Sequence, residues 1–218
     1  MIETTAGNTQ ILHDTSDSVK LSVYVDGVLT NATGNVLVTV TNAGGGTVIA
    51  AGTASNPGTG IYTYTVTPTN TSDLDLFTAA WTATYSSASH TFETKHEIVG
   101  QYLFTIADAR AFDSSALTSS TTYPTDTIRK HREDITNLME SHTGQSWVPR
   151  FKRESLAGDG TDTLELSRRF IRSVQSVTVD GTADTDYTTD KNLGLLIHNS
   201  STWGKPPSGT IFNIVVEY

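Results

Sequence analysis

The sequence predicts a mostly β protein with a short helical part, in which a two-sheet sandwich is followed by an α+β domain. Along short segments of the first hundred positions, apolar residues alternate with Thr, Ser and other polar residues, which is typical of half-buried strands. Charged residues make up only 17% of the chain, and Thr, which suits a pleated surface, is abundant. A segment at 126–143 has apolar residues at helical spacing.

Length and composition limit the classes of function. At 218 residues the chain has room for one or two domains and for a sizeable core. It has no Cys, which excludes disulfides, thiolate metal sites and thiol catalysis. Its net charge of −9 argues against nucleic-acid binding driven by overall charge. No apolar run approaches the roughly 18 residues of a membrane helix, so we expect no membrane partner.

Residues 1–100 are predicted to form the sandwich. Turn residues such as Asp26-Gly27 and Asn56-Pro57-Gly58 separate about seven short strand candidates. Each candidate has one apolar face and one Thr-rich face, the pattern of a sheet that packs against a second sheet. The clearest candidates are Leu21–Val25, Val36–Val40, Val48–Ile49, Tyr62–Val66, Trp81–Tyr85 and His90–Val99.

Two helices are predicted after residue 100. Thr105 followed by Asp108 is a capping pattern, and this short helix would run to about Phe112. A longer helix is predicted over 126–143, ended by Gly144. We expect its apolar stripe to be buried in a core. The stripe consists of Ile128, Ile135, Leu138 and Met139, continued by His142.

Further strands are predicted beyond the longer helix, with a hairpin turn at Asp180-Gly181. They are Arg150–Leu156, Thr163–Leu166, Ile171–Val179, Leu193–His198 and Thr210–Glu217. The apolar run Ile211–Tyr218 is expected to be an exposed end strand that adds to the sheet of a partner.

A change in charge marks a domain boundary near Gly100. Lys20 and Lys95 are the only Lys or Arg residues among 1–100, against eight acids, whereas 101–218 contain twelve such bases and fifteen acids. We therefore expect two domains, 1–100 and 101–218, joined by a short connection.

We expect no enzyme, no cofactor and no catalytic, cofactor-binding or metal-binding residues. The sequence lacks the Gly-Xaa-Ser-Xaa-Gly elbow, the phosphate-binding Gly-Lys-Ser/Thr loop and the His-Glu-Xaa-Xaa-His motif. His90 and His96 would lie roughly 20 Å apart along one strand, too far to share a metal ion. The Asp-containing turns at 73–75, 159–162 and 184–186 are candidates for calcium, but Asp more commonly serves a turn by binding its own backbone.

Residues 9–99 resemble the immunoglobulin-like modules of bacterial and phage proteins. The resemblance rests on GTASNPGTGIYTYTVTP, which begins at Gly52, and on FTAAWTATY, which begins at Phe77. In those modules a Gly-Xaa-Tyr strand precedes a strand with a core Trp. The disulfide of antibody domains is absent here. Such modules serve as spacers, adhesive decorations or docking units, and the fold does not choose among these roles.

Residues 101–218 resemble the head–tail connector (adaptor) proteins of tailed bacteriophages. Four stretches carry the resemblance in order: YLFTIADARAF, DTIRKHREDITNLMESHTGQSWVPR, ESLAGDGTDTLELSRRFIRSVQSVTVDG and IFNIVVEY. They match the family's short helix, longer helix ending in a His-Thr-Gly-like segment, Gly-Asp-Gly turn, basic pair and Ser-Val-rich strand. The immunoglobulin-like module in front departs from the minimal family pattern.

The connector resemblance implies a structural virion protein of the neck, made in the cytoplasm of the bacterial host. Family members form a ring of about twelve copies. The ring docks on the portal protein, extends the DNA channel and presents a platform for the next neck or tail-completion protein. Genomic DNA would pass through without sequence-specific binding. We expect the immunoglobulin-like module to point outward, where the capsid is a candidate partner.

Two groups of residues are candidates for the subunit or portal interface. The charged cluster Arg129, Lys130, Arg132 and Glu133 would form salt bridges between neighbouring subunits, although a solvated helix face with i,i+4 pairs explains it equally well. The second group lies in the closing strand and consists of Ile211, Phe212, Ile214, Val216 and Tyr218. Other bases lie on or beside strands, and there are two interpretations of them: they face the lumen and contact DNA, or the excess of acids in this half makes the channel net-negative and DNA slides through it. These bases are Arg150, Lys152, Arg153, Arg168, Arg169 and Arg172.

An alternative function is that of a secreted or surface protein of β-modules that binds carbohydrate or mediates adhesion. Thr-rich sandwiches with Trp and Tyr suit that role. The helical segment at 105–143 and the polar, acidic beginning of the sequence, which is unlike a signal peptide, count against it.

Overall fold

A computed structural model describes residues 1–6, 9–112 and 117–218. As predicted, the fold is mostly β with a short helical part. The chain divides into two compact units, Met1–Arg150 and Phe151–Tyr218. The boundary predicted at Gly100 therefore lies inside the first unit, which contains both helices. The predicted loop at 113–124 begins outside the described residues, which resume at Leu117.

Among the described residues, the first unit begins with ten strands in two sheets. They are β1 (Ile2–Ala6), β2 (Gln10–Leu12), β3 (Asp17–Val25), β4 (Val28–Leu29), β5 (Leu37–Thr41), β6 (Thr47–Thr53), β7 (Ser55–Gly58), β8 (Ile61–Val66), β9 (Asp75–Tyr85) and β10 (Ala88–Val99). One sheet has the order β1-β3-β8-β7, with β4 paired to β3, and the other has the order β2-β10-β9-β5-β6. Asp26 and Gly27, both at positive φ, close the predicted turn between β3 and β4.

The strand order of the two sheets is that of an immunoglobulin-like sandwich. An A-B-E-D sheet corresponds to β1, β3, β8 and β7, and a C-F-G sheet corresponds to β5, β9 and β10, with β6 added at the C edge. The short strand β2 pairs in parallel with the end of β10, so it joins the sheet opposite to that of β1. The predicted sandwich is thus present, with more strands than the alternation alone indicated.

The sandwich core lies between the two sheets and contains Trp81, which is fully buried. The Trp81 Nε1–H donates to Thr94 Oγ1 on the neighbouring strand at 2.9 Å. Thr94 Oγ1 lies 2.8 Å from Nε2 of the buried His96, so the polar groups of this core satisfy one another. The contact with Thr94 gives the buried His96 a hydrogen-bond partner inside the core.

Two helices follow in the first unit: α1 (Ile106–Phe112) and α2 (Thr125–Thr143). The predicted capping pattern is confirmed, because the backbone N–H of Asp108 donates to Thr105 Oγ1 at 3.0 Å and the Thr105 N–H donates back to Asp108 Oδ2 at 2.9 Å. Gly144 ends α2 at a φ of 69°, as expected for a left-handed cap.

The second unit contains two small sheets. Its strands are β11 (Arg153–Leu156), β12 (Thr163–Glu165), β13 (Ser176–Val179), β14 (Thr182–Ala183), β15 (Tyr187–Asp190), β16 (Leu195–His198) and β17 (Ile214–Glu217). The sheet orders are β11-β17-β13-β14 and β12-β16-β15. Asp180 and Gly181, both at positive φ, form the predicted hairpin turn. The buried side chains of both sheets form one cluster that includes Leu196, Trp203 and Ile214.

Candidate interaction surfaces

The side of α2 that is buried differs from the predicted one. Its buried residues are Ile128, Arg132, Thr136 and Glu140, a stripe that is polar apart from Ile128. Ile135 and Leu138 are 43% and 68% exposed, and Met139 is half-buried, so the predicted core stripe is wrong except at Ile128. Two of these polar residues make contacts outside the helix, because Arg132 packs on Tyr102 and Glu140 accepts a hydrogen bond from Arg150, and the hydrophobicity of α2 does not reveal such contacts.

Arg132 is the centre of that polar stripe. Its side chain is 1% exposed, and its guanidinium carbon lies 3.4 Å from the ring centroid of Tyr102. Burial lowers the pKa of Arg132, while the neighbouring Tyr102 opposes this shift. Arg132 was predicted to join a salt-bridge set between subunits. That assignment is wrong in this fold, because the side chain is enclosed within its own unit.

The other charged residues at the start of α2 contact the sandwich. Lys20 Nζ on β3 donates to Asp126 Oδ2 at 2.7 Å, and Arg129 lies 3.9 Å from the same carboxylate. Glu133 accepts a hydrogen bond from the Thr9 hydroxyl. A cleft of about 350 Å³ lies between Asp126 and Arg129 of α2 and the sheet residues Lys20, Ile61 and Thr63. Of the predicted cluster, Lys130 alone is fully exposed, while Arg129 and Glu133 are partly covered.

The C-terminal end of α2 is fixed by Arg150. Its guanidinium donates to both carboxylate oxygens of Glu97 on β10 and, at 2.7 Å, to Glu140 Oε2 on α2. Asn137 Oδ1 accepts a further hydrogen bond at 2.9 Å. The hydrogen bonds to Glu97 hold the pKa of Arg150 above its ordinary value. One side chain therefore joins the last sandwich strand to the long helix.

The opposite side of α2 presents apolar side chains to solvent. Ile135 and Leu138 lie on it, and Trp147 is 50% exposed beside the last turn, where its Nε1–H donates to Thr143 Oγ1 at 3.1 Å. We call Ile135, Leu138 and Trp147 the outer α2 surface. Sequence reasoning found the apolar stripe but assigned it to the core, because periodicity does not tell which molecule covers it.

The closing strand is not at a sheet edge. β17 pairs with β11 on one side and with β13 on the other, and Ile214, Val216 and Tyr218 are buried. The expectation that this strand adds to a partner's sheet is therefore wrong, since both of its hydrogen-bonding edges are occupied. Ile211 and Phe212, just before β17, are 75% and 54% exposed and remain available for contact.

Tyr218 belongs to a buried polar cluster in the second unit. Its hydroxyl donates to Glu154 Oε1 at 2.9 Å, and the Ser167 N–H donates to Glu154 Oε2 at 3.1 Å. Burial raises the pKa of Tyr218 to about 12. Burial also works to raise the pKa of Glu154, but hydrogen bonds from Ser167, Tyr218 and Lys152 outweigh it, so the pKa of Glu154 is lowered. The cluster favours a charged Glu154 beside a neutral Tyr218.

The three Asp turns use their carboxylates locally. Asp159 Oδ1 accepts the N–H of Thr161, Asp184 Oδ1 accepts the N–H of Asp186, and Asp75 Oδ1 accepts the N–H of Leu76, at 2.7–2.8 Å. Among the described residues no group of three or more His, Asp or Glu side chains is placed to hold a metal ion. Within the same part of the chain, no helix combines the length and apolar character needed to cross a membrane.

Comparisons with known proteins identify no family. No family model matches the chain, and no curated protein matches it. The crystal structure of a DUF4785 family protein from Legionella pneumophila subsp. pneumophila str. Philadelphia 1 matches with a TM-score of 0.30 and 8% identity, over 44% of this chain and 27% of that chain. The titin M3 domain matches with a TM-score of 0.29 and 14% identity, over 45% of this chain and 94% of that one. Scores this low support no argument about function.

Proposed function

We propose that this chain is a structural protein of a phage virion: a neck ring that docks on the portal, joins head to tail and extends the DNA channel. The ring is built from about twelve copies, and its partners are the portal protein and the next neck or tail-completion protein. The protein performs no catalysis. The immunoglobulin-like sandwich lies at the periphery, where the capsid is its candidate partner.

The exposure of the outer α2 surface is the observation that carries this proposal. A helix in a soluble protein normally turns its apolar stripe inward and its polar residues outward. In α2 this pattern is broken: Arg132 and Glu140 are buried, while Leu138 is 68% exposed. Ile135, Leu138 and Trp147 are large apolar side chains exposed on and just beyond α2, and a concentration of such side chains is typical of surfaces that contact other molecules. We assign a second copy of this chain as the occupant.

A ring of identical copies needs two different surfaces on each copy, since its contacts are head-to-tail. The outer α2 surface in the first unit supplies one candidate. The exposed pair Ile211 and Phe212 in the second unit supplies another apolar candidate. Two unlike apolar surfaces on one chain suit a closed ring better than a two-fold dimer, in which the same surface would meet itself.

A mass measurement tests the proposal. The wild-type chain should form assemblies whose masses are multiples of 23.4 kDa when alone, and it should add whole multiples of 23.4 kDa to the mass of portal rings when mixed with them. Leu138→Gln keeps a good helix former at an exposed position but removes apolar contact area, and it should weaken assembly about ten-fold, which corresponds to about 1.4 kcal/mol.

Val28→Gln is the matched control, because Val28 is 66% exposed on the β3–β4 hairpin, away from α2. This variant should assemble like wild type, and circular dichroism should show all three proteins folded. A chain that stays at 23.4 kDa with and without portal rings would refute the ring. Equal losses in the two variants would refute the role of α2.

A further inference from the structure

The second unit carries a cationic loop pair that the ring proposal does not use. The loop after β12 contains Arg168, Arg169, Phe170 and Arg172, and the loop before β16 contains Lys191. None of these four cations forms an ion pair with another described residue, and all except the half-buried Arg168 are exposed. Such a concentration of free positive charge is notable in a chain whose net charge is −9.

The two loops are fastened to each other through their backbones. The Ile171 N–H donates to the Lys191 carbonyl at 2.9 Å, and the Leu166 N–H donates to the Gly194 carbonyl at 2.8 Å. Gly194 also passes so close to Arg168 that a Cβ there would lie 2.1 Å from the Arg168 carbonyl oxygen. The buried Ile171 anchors the first loop in the core. The cations are thus carried by a firm backbone platform.

Phe170 gives the platform a second unusual feature. Its φ is 56°, in the left-handed region that bulky residues rarely adopt, and its ring is 68% exposed. This conformation costs energy and places an aromatic ring in solvent among the cations. Strained backbone of this kind is found mainly at sites that bind ligands or partners.

Nearby carboxylates neutralise the platform only in part. Asp190 Oδ1 accepts the N–H groups of Asn192 and Leu193 at 3.0 and 3.1 Å, and Glu154 accepts from Ser167. Glu165, on β12, is exposed. The two loops and the strand residues that flank them thus carry four cations against two carboxylates, Glu165 and the hydrogen-bonded Asp190, so the local net charge is positive.

We propose that this loop pair binds the phosphodiester backbone of duplex DNA without regard to sequence. Guanidinium groups match phosphate geometry, and duplex DNA offers a negative charge about every 1.7 Å. An acidic surface on a second copy is the weaker candidate. Duplex DNA presents its negative charges at a fixed, close spacing, whereas the carboxylates of this chain are spread along its whole length. The inference rests on the proposed function, in which DNA passes each copy.

The test is fluorescence anisotropy of a labelled mixed-sequence DNA duplex with the full chain, over a salt range of about 50 to 200 mM. Four phosphate contacts predict that log K falls with log salt at a slope of about −3 to −4. The double variant Arg169→Gln/Lys191→Gln should lose about ten-fold in affinity and reduce the magnitude of that slope by about 2.

Lys95→Gln/Lys205→Gln is the matched control. Both of its lysines are exposed and outside the two loops, and it removes the same net charge. It should bind DNA within about two-fold of wild type. Equal losses in the two variants, or no binding by wild type at low salt, would overturn the inference. So would tighter binding to phosphatidylserine vesicles or polyglutamate than to DNA.

The mass of each sample separates this inference from the ring proposal. If the chain binds DNA through the loop pair but never assembles, the DNA-binding inference stands and the ring proposal is refuted. If the chain assembles but does not bind DNA, only the DNA-binding inference is refuted.

Discussion

Glu154 shows at the scale of one residue how a buried charge is kept. Its side chain is 8% exposed, which would ordinarily disfavour ionisation. Hydrogen bonds from Ser167 and Tyr218, together with Lys152 Nζ at 3.2 Å, reverse that preference and lower its pKa. A carboxyl group whose pKa is lower in the folded state stabilises the fold above the pKa of the unfolded chain. That stability is lost as the pH falls through the folded pKa.

Glu154→Gln should therefore lower the free energy of unfolding by about 1–3 kcal/mol at pH 7, the usual range for hydrogen bonds to a charged group. The difference from wild type should begin to shrink as the pH falls below the ordinary Glu pKa of about 4.3, and it should disappear once the pH has fallen through the lower pKa of the folded-state carboxyl group. Urea denaturation at several pH values measures it. Glu165→Gln, an exposed change on β12, should cost little at any pH. A pH-independent difference for Glu154→Gln would contradict the role of its charge.

At the scale of an element, α2 is held by polar contacts at both ends. Lys20 contacts Asp126 near its start, and Arg150 joins Glu140 near its end to Glu97 on β10. The ion pairs of Arg150 are the more buried of the two sets, because the side chains of its partners Glu97 and Glu140 are only 13% and 8% exposed. Removing Arg150 would leave two carboxylates unpaired in a largely dry position.

Arg150→Gln should destabilise the first unit by about 2–4 kcal/mol, somewhat below the cost for a fully buried pair because Arg150 itself is 23% exposed. Hydrogen exchange of the α2 amides should accelerate before that of the sandwich strands. Lys95→Gln is the control, since Lys95 is an exposed cation on the same strand, β10. If α2 exchanges at the wild-type rate in Arg150→Gln, the helix does not depend on this network.

At the scale of the whole molecule, the boundary between the two compact units lies directly after Arg150 rather than at Gly100. The change in charge at Gly100 is a property of the sequence, but several contacts cross that point. The Gly100 N–H donates to the Pro149 carbonyl at 2.9 Å, and Arg150 binds Glu97. The sandwich and the helices therefore share stabilising contacts. Whether 1–100 and 101–218 fold as separate domains stays a prediction.

Two fragments distinguish these divisions. Fragment 1–150 should unfold in one cooperative transition, because it keeps the Glu97–Arg150 contact and the strand that leads to it. Fragment 1–100 should be less stable by about 2–4 kcal/mol, since it leaves Glu97 without its cation. Thermal and urea unfolding of both fragments measure the difference. Equal stability would support a boundary at Gly100.

The local pattern was sufficient to predict most elements. Alternation located the major sandwich strands, and the capping pattern of Thr105 and Asp108 located α1. Gly144 located the end of α2. These signals act between near neighbours in the chain, so one sequence contains them completely. The candidate interface stays a prediction; of its nine residues, Lys130, Ile211 and Phe212 are exposed.

The sequence by itself determined the mostly β class, both helices, the Asp-Gly turns and the apolar stripe of α2, because each depends on residue spacing along the chain. Tertiary structure alone decided which side of α2 is buried. Arg132 packs on Tyr102, 30 positions away, and Arg150 binds Glu97, 53 positions away. Arg150, which lies in the loop after α2, also binds Glu140 on that helix. The same structure placed β17 between two other strands and brought Lys191 beside Arg169. Long-range pairing decides these features, and no local pattern in the chain specifies which partners meet.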